Sequence, residues 1–70
     1  MKFSAKVFYL RKKRGLTQEE LGKLANLSQG TIALYENDKI KPKGDALIQL
    51  SKVLSVKPEI LIDDERSVAE

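Results

Sequence analysis

Amides, short hydroxyls and lysine ammonium groups make up most of the polar equipment between Thr17 and Lys43, where Gln18, Ser28, Gln29, Thr31, Asn37, Lys39, Lys41 and Lys43 all fall. Such groups hydrogen-bond and neutralise charge; they are poor proton shuttles at neutral pH. The chain contains no Cys and no His, which removes thiolate, disulfide and imidazole chemistry together. Its carboxylates are scattered, so no nucleophile-base pair or metal-ligand cluster can be written. No catalytic residue, metal or cofactor is expected, and the chemistry left is recognition.

The charge distribution suggests what would be recognised. Residues 1–43 hold ten basic side chains (Lys2, Lys6, Arg11, Lys12, Lys13, Arg14, Lys23, Lys39, Lys41, Lys43) against four acidic ones, a balance of +6, whereas residues 44–70 hold three basic against six acidic. A polyanion facing the first two thirds of the chain fits this asymmetry, and so does a Lys-rich solvated face. Part of the Arg11-Lys12-Lys13-Arg14 run also has a local reason, because cations in the last turn of a helix favour the negative end of its dipole.

The elements that would carry these groups are helical throughout. Five segments show helical spacing and no useful strand alternation occurs, which makes the class all-α. Ser4 is expected to cap a first helix with Val7, Leu10 and Arg11 on one face, ended by Gly15. Thr17-Gln18-Glu19-Glu20 reads as a capping box opening a second helix, with Leu21, Leu24 and Ala25 inward. Asn26, which tolerates a left-handed backbone, turns the chain, and Ser28 caps a third helix. That helix turns Ile32, Tyr35 and Glu36 inward and presents Gln29, Gly30, Ala33, Leu34 and Asn37, a small uncharged face. After a Lys-bearing loop, helical spacing resumes near Asp45 with a Leu47, Leu50, Leu54 stripe; Ser55-Val56-Lys57 breaks it, and Pro58 opens a fifth helix holding Leu61. Residues 1–62 are expected to form one domain and 63–70 a polar acidic tail or the start of a linker.

Two short helices joined by Asn26-Leu27-Ser28 form an angled pair whose second member can enter a DNA major groove. Packing at that angle wants a small residue at Gly22, a left-handed turn at Asn26, and apolar residues at Leu21, Ala25, Leu27, Ile32 and Tyr35, and all seven positions comply. The helix-turn-helix so defined spans residues 18–37. No run is apolar enough to cross a membrane and no signal-peptide core follows Met1, so a cytoplasmic protein is expected. A chain of 70 residues is small for a stable domain, which makes association with a second copy a reasonable expectation.

Leu10-Arg11-Lys12-Lys13-Arg14-Gly15-Leu16-Thr17-Gln18-Glu19-Glu20-Leu21, followed by Leu27-Ser28-Gln29-Gly30-Thr31-Ile32 and Tyr35-Glu36-Asn37, resembles the Cro and lambda-repressor-like helix-turn-helix family, also called the XRE family. The likeness runs from Phe3 to Ile62 and implies a compact five-helix, double-stranded DNA-binding regulator. It implies base contacts from Gln29, Gly30, Ala33 and Leu34, Gln29 leading because its amide can pair with adenine N6 and N7. It implies phosphate contacts from Gln18, Ser28, Thr31, Asn37, Lys39, Lys41 and Lys43, with Gln18 beside the free amides of its helix. It also implies a structural ion pair between Arg11 and Glu36.

Departures from the family pattern qualify this. Ala33 and Leu34 stand where many relatives carry Ser, Gln or Arg, leaving methyl groups for thymine C5-methyl contact and an A·T-leaning readout. Gly22 replaces a common Ala, and Asn26 and Asp38 replace common Gly, each expected to cost about 1 kcal/mol or less. Lys43 replaces a usual Ser cap of the fourth helix. The implied function is a repressor that binds an inverted repeat as a homodimer, with half-sites about 34 Å apart, paired through the fourth and fifth helices and the tail. The alternative is an antitoxin or accessory module that meets a protein partner with the same helices.

Overall fold

Two capping motifs set where the middle of the chain becomes helical. The Thr17 Oγ1 accepts the Glu20 N–H at 3.0 Å while the Glu20 carboxylate accepts the Thr17 N–H at 2.8 Å, which satisfies two otherwise orphaned donors at once. The Ser28 Oγ accepts the Thr31 N–H at 3.1 Å. These caps open α2 (Gln18–Leu24) and α3 (Gln29–Glu36), preceded by α1 (Phe3–Lys13) and followed by α4 (Asp45–Leu54) and α5 (Pro58–Ile62). The structure, a computed structural model, describes residues 1–68, and among them no strand occurs; Ala69 and Glu70, the end of the expected tail, lie outside the described residues.

One core joins all five helices: Phe3 and Val7 from α1, Leu21 and, just after α2, Ala25, Ile32 and Tyr35 from α3, Leu50 and Leu54 from α4, and Leu61 from α5. The Phe3 and Tyr35 rings meet edge to face with centroids 5.6 Å apart, the arrangement their quadrupoles favour. Burial also pushes the Tyr35 hydroxyl above its ordinary pKa, since the anion would lose its hydration. Val53 of α4, Ile62 of α5 and Val56 between the two helices pack partly against it.

Three expectations about capping and exposure are corrected. Ser4 does not cap α1: Lys2 holds the N-cap position without a side-chain bond, and the acceptor for the Phe3 N–H is the Asp64 carboxylate, 61 positions away, at 2.9 Å. The helix starts earlier because Phe3 must reach the core. Leu24 is 60% exposed, since Leu21 and Ala25, one turn apart, already define the buried stripe and Leu24 lies about 100° round from Ala25. Lys6 does not belong to a basic surface. Its side chain is fully buried, and its ammonium donates to the carbonyls of Ile60, at 2.6 Å, and Asp63, closing the C-terminal end of α5. Desolvation lowers its pKa, opposed by the nearby Asp63 and Asp64 carboxylates.

The turn between α2 and α3 is tight. Asn26 takes φ 60°, as does Asp38 after α3, and Ser55 takes φ 56° at the end of α4. The Asn26 conformation follows its tolerance of the left-handed region; the same conformation at Ser55 has no such signal in the residue type. Gly44, at φ 58°, holds the N-cap position of α4 without a side-chain bond.

Gly22 overturns the expectation that Ala would serve better there. A Cβ at this position would lie 2.7 Å from the Leu27 carbonyl oxygen and 3.2 Å from the Ser28 backbone, and the Leu27 N–H already donates to the Gly22 carbonyl at 2.7 Å. The obstacle is backbone, which cannot rotate aside. Gly22→Ala is therefore expected to destabilise the fold by about 1–3 kcal/mol through overpacking, against its gain in helix propensity; urea unfolding measures the sign.

Candidate functional site

The exposed face of α3 is backed by Ile32 and Tyr35, both buried, and it carries the residues the periodicity put there. Gln29, Gly30, Leu34 and Asn37 are exposed and Ala33 is half-buried. Gln29 leads the helix beside the Ser28 cap. The Ser28 and Thr31 hydroxyls lie 2.9 Å apart, so both belong to the capping arrangement at the start of α3. Gly30 is different from Gly22: the nearest atom to a Cβ there would be the Ser28 Oγ at 3.9 Å, so nothing inside the fold demands glycine.

Behind this face, Arg11 and Glu36 form a two-pronged ion pair. The Arg11 Nε donates to Glu36 Oε2 at 2.6 Å and Nη2 to Oε1 at 3.0 Å, while Nη1 donates to the Leu16 carbonyl at 2.8 Å. The side chains are only 9% and 5% exposed. The bond to Glu36 raises the Arg11 pKa further despite desolvation. The Phe8 ring lies 5.3 Å from the Arg11 guanidinium carbon, within cation-π range. Phe8 is half exposed, and its place three residues before Arg11 on one helix face was the available signal.

Gln18 joins the same network, its Nε2 donating to Glu36 Oε1 at 3.1 Å. An amide nitrogen carries two hydrogens, so this bond leaves one for an outside acceptor. Gln18 and Gln29, which the sequence separates by a helix and a turn, line one surface groove of about 450 Å³ together with Arg11, Lys12 and Thr17.

The loop between α3 and α4 exposes Lys39, Lys41 and Lys43. Lys41 is held by Asp64 at 2.9 Å, and Asp38 in the same loop by Lys2 at 3.1 Å. The sequence count of ten cations therefore overstates the outward charge, because Lys6 and Arg11 are buried and Lys2 and Lys41 are paired. Asp64 went unnoticed as a structural residue; its partners are remote in sequence, and no local spacing announces them. Among the described residues no group of three or more acidic, His or Cys side chains is placed to hold a metal ion, and no helix is long and apolar enough to cross a membrane.

Comparison with known proteins places this geometry in a family. Residues 7–61 match the family described as helix-turn-helix. The repressor protein C2 of Salmonella phage P22 is 35% identical over 57 residues, covering 81% of this chain. The chain spans about a quarter of that relative's length, 26%. The P22 c2 repressor in complex with a synthetic operator superposes with a TM-score of 0.87 at 30% identity, covering 90% of this chain and 96% of that one. The DNA-binding domain of the same repressor in solution gives 0.85 at 28% identity, over 100% and 92% of the two chains. The restriction-modification controller protein C.AhdI from Aeromonas hydrophila gives 0.78 at 25% identity, over 86% and 91%.

Removing one partner of the buried pair isolates the other charge. Arg11→Met is expected to cost about 3–5 kcal/mol, a large part of the total for a domain this size, on the order of 4–10 kcal/mol. Arg11→Met combined with Glu36→Gln should recover much of that loss, since no buried charge is then stranded. Urea midpoints of the single and double variants decide this; equal loss in both would assign the cost to packing instead.

Proposed function

The chain belongs to the helix-turn-helix family, and from that premise we propose that it is a sequence-specific double-stranded DNA-binding transcriptional regulator that inserts α3 in the major groove. The observation that carries the reading is the outward Gln29-Gly30-Ala33-Leu34 face, backed by the Arg11–Glu36 pair and the buried Ile32 and Tyr35. A helix must be fixed from behind to read bases in front. The likeness to a repressor solved with its operator supports the same reading.

The roles divide by chemistry. Gln29 reads a base edge through its amide, while Ala33 and Leu34 offer methyl groups to thymine. Gly30 lets the start of α3 come close to the bases. Gln18, Ser28, Thr31, Asn37, Lys39, Lys41 and Lys43 grip phosphates, which sets register and salt dependence without sequence preference. Regulation as a repressor in the cytoplasm, without enzymatic activity, completes the proposal.

The functional unit we infer is a homodimer on an inverted repeat, paired through the α4, α5 and tail side. Support comes from Val56 and Ile60, which line a groove of about 540 Å³ with Leu10, Leu54 and Val68. That groove shares no lining residue with the one that contains Gln18 and Gln29. A second reading, a module that binds a protein partner, is favoured by one observation: Leu24 and Leu34 are 60% and 43% exposed.

Gln29→Ala is expected to cost about 1–3 kcal/mol on a sequence selected from a random DNA pool and little on unselected DNA, while Lys43→Ala weakens both alike and lowers the salt slope by about one. Mobility-shift titrations over a salt series distinguish them, and negligible, salt-insensitive binding by the wild-type chain would favour the protein-partner reading. Sedimentation at micromolar concentration, free and on selected DNA, tests the dimer: a monomer in both conditions rejects it.

A further inference from the structure

We propose that Asp64 is a built-in competitor of DNA phosphate for Lys41, so that the segment after α5 sets how firmly the loop between α3 and α4 grips DNA. The inference rests on the DNA-binding reading above and adds a residue that opposes it.

The two partners are held very differently. The Asp64 carboxylate is anchored from the other side: its Oδ1 accepts the Phe3 N–H at 2.9 Å, and the chain just before it is fixed where the buried Lys6 ammonium bonds the Ile60 and Asp63 carbonyls. Its anion therefore stays in place whatever Lys41 does. Lys41 is a flexible arm on an exposed loop, its side chain 46% accessible, and it reaches Asp64 Oδ2 at 2.9 Å. Lys39 and Lys43, its neighbours in the loop, join no ion pair among the described residues. One loop cation is thus already neutralised from within the fold, and the others remain open to solvent.

Carboxylate and phosphate oxygens accept the same ammonium hydrogens. When the loop meets DNA, Lys41 either leaves Asp64 for a phosphate or bridges both. The first route gives up an existing pair; the second holds two anions close together. Both lower affinity relative to a free lysine. Asp64 is ionised at neutral pH, its pKa depressed chiefly by Lys41 and then by the Phe3 amide.

A double-mutant cycle on the full chain tests this, with dissociation constants measured by fluorescence anisotropy on a short random-sequence DNA duplex at low salt. Asp64→Asn keeps an oxygen for the Phe3 N–H while removing the charge. It is expected to tighten binding about two- to fivefold, the range an exposed ion pair is worth. Glu65→Gln, next in the chain and in no ion pair among the described residues, reports the effect of net charge alone and should do less. In a Lys41→Gln background the gain from Asp64→Asn should shrink to the Glu65→Gln level. The proposal is overturned if Asp64→Asn matches Glu65→Gln, weakens binding, or keeps its full gain without Lys41. Should Asp64→Asn fail to fold, the lysines alone decide: Lys41→Gln must lose less affinity than Lys43→Gln, and an equal or larger loss overturns the competition. A wild-type chain that does not bind duplex DNA at all overturns the DNA reading, and this inference with it, whereas salt-dependent wild-type binding without the cycle's coupling overturns this inference alone.

Discussion

Everything that α3 can present depends on the buried contact between Arg11 and Glu36. The guanidinium gives two hydrogen bonds to the carboxylate and one to the Leu16 carbonyl, so a single planar group fixes the end of α1, the turn after it and the end of α3. Gln18 extends the tie to the start of α2. An apolar contact of the same size would supply burial but no direction, whereas a planar fork against a carboxylate tolerates little rotation. Desolvating both charges is costly, and the geometry offsets this by satisfying the carboxylate from three donors. Phe8 covers the guanidinium from outside.

A second constraint acts at the opposite end of α1. Phe3 must enter the core, so the helix begins too early for Ser4 to cap it, and the chain supplies an acceptor from Asp64 instead. Lys6, on the same helix, reaches across to the end of α5. The segment after α5 is thereby pinned to α1 from two sides, and the last helix, only five residues long, does not depend on its own hydrogen bonds alone. A short helix in isolation would not persist; here the core residue Leu61 and the Lys6 ammonium hold it.

How much of this was legible follows from sequence separation. The capping box at Thr17, the Ser28 cap, the left-handed Asn26 and the outward set on α3 are written in residues three to five positions apart, and local spacing reads them. The Arg11–Glu36 pair was visible only through family likeness, because its members lie 25 positions apart. Lys6 and Asp64 were misread or overlooked for the same reason: a buried lysine and a surface lysine look alike until the far end of the chain is in place. Gly22 was misjudged differently. Helix propensity favours Ala in isolation, and only the close approach of the Leu27 carbonyl reverses the preference. In the candidate site, the groove that unites Gln18 with Gln29 required the angle between α2 and α3, which periodicity does not supply.

On the proposed reading, the same economy shapes specificity. Of the four residues assigned to base contact, Gln29 alone can make a two-bond base contact; Ala33 and Leu34 offer methyl groups, and Gly30 offers only proximity. Gly30 lowers helix stability by roughly 0.5–1 kcal/mol relative to Ala with no internal steric need for it, which is intelligible if an outside surface occupies that space. A single bidentate contact discriminates by about 1–3 kcal/mol, too little to pick a site from the millions of alternatives a genome offers. Discrimination free energies from two half-sites add, so the selectivity ratio is squared when two copies bind together. A weak reading face on a rigid frame therefore makes pairing a requirement of recognition rather than an addition to it, and it transfers the control of affinity to the phosphate-gripping lysines, where Asp64 already holds one of them.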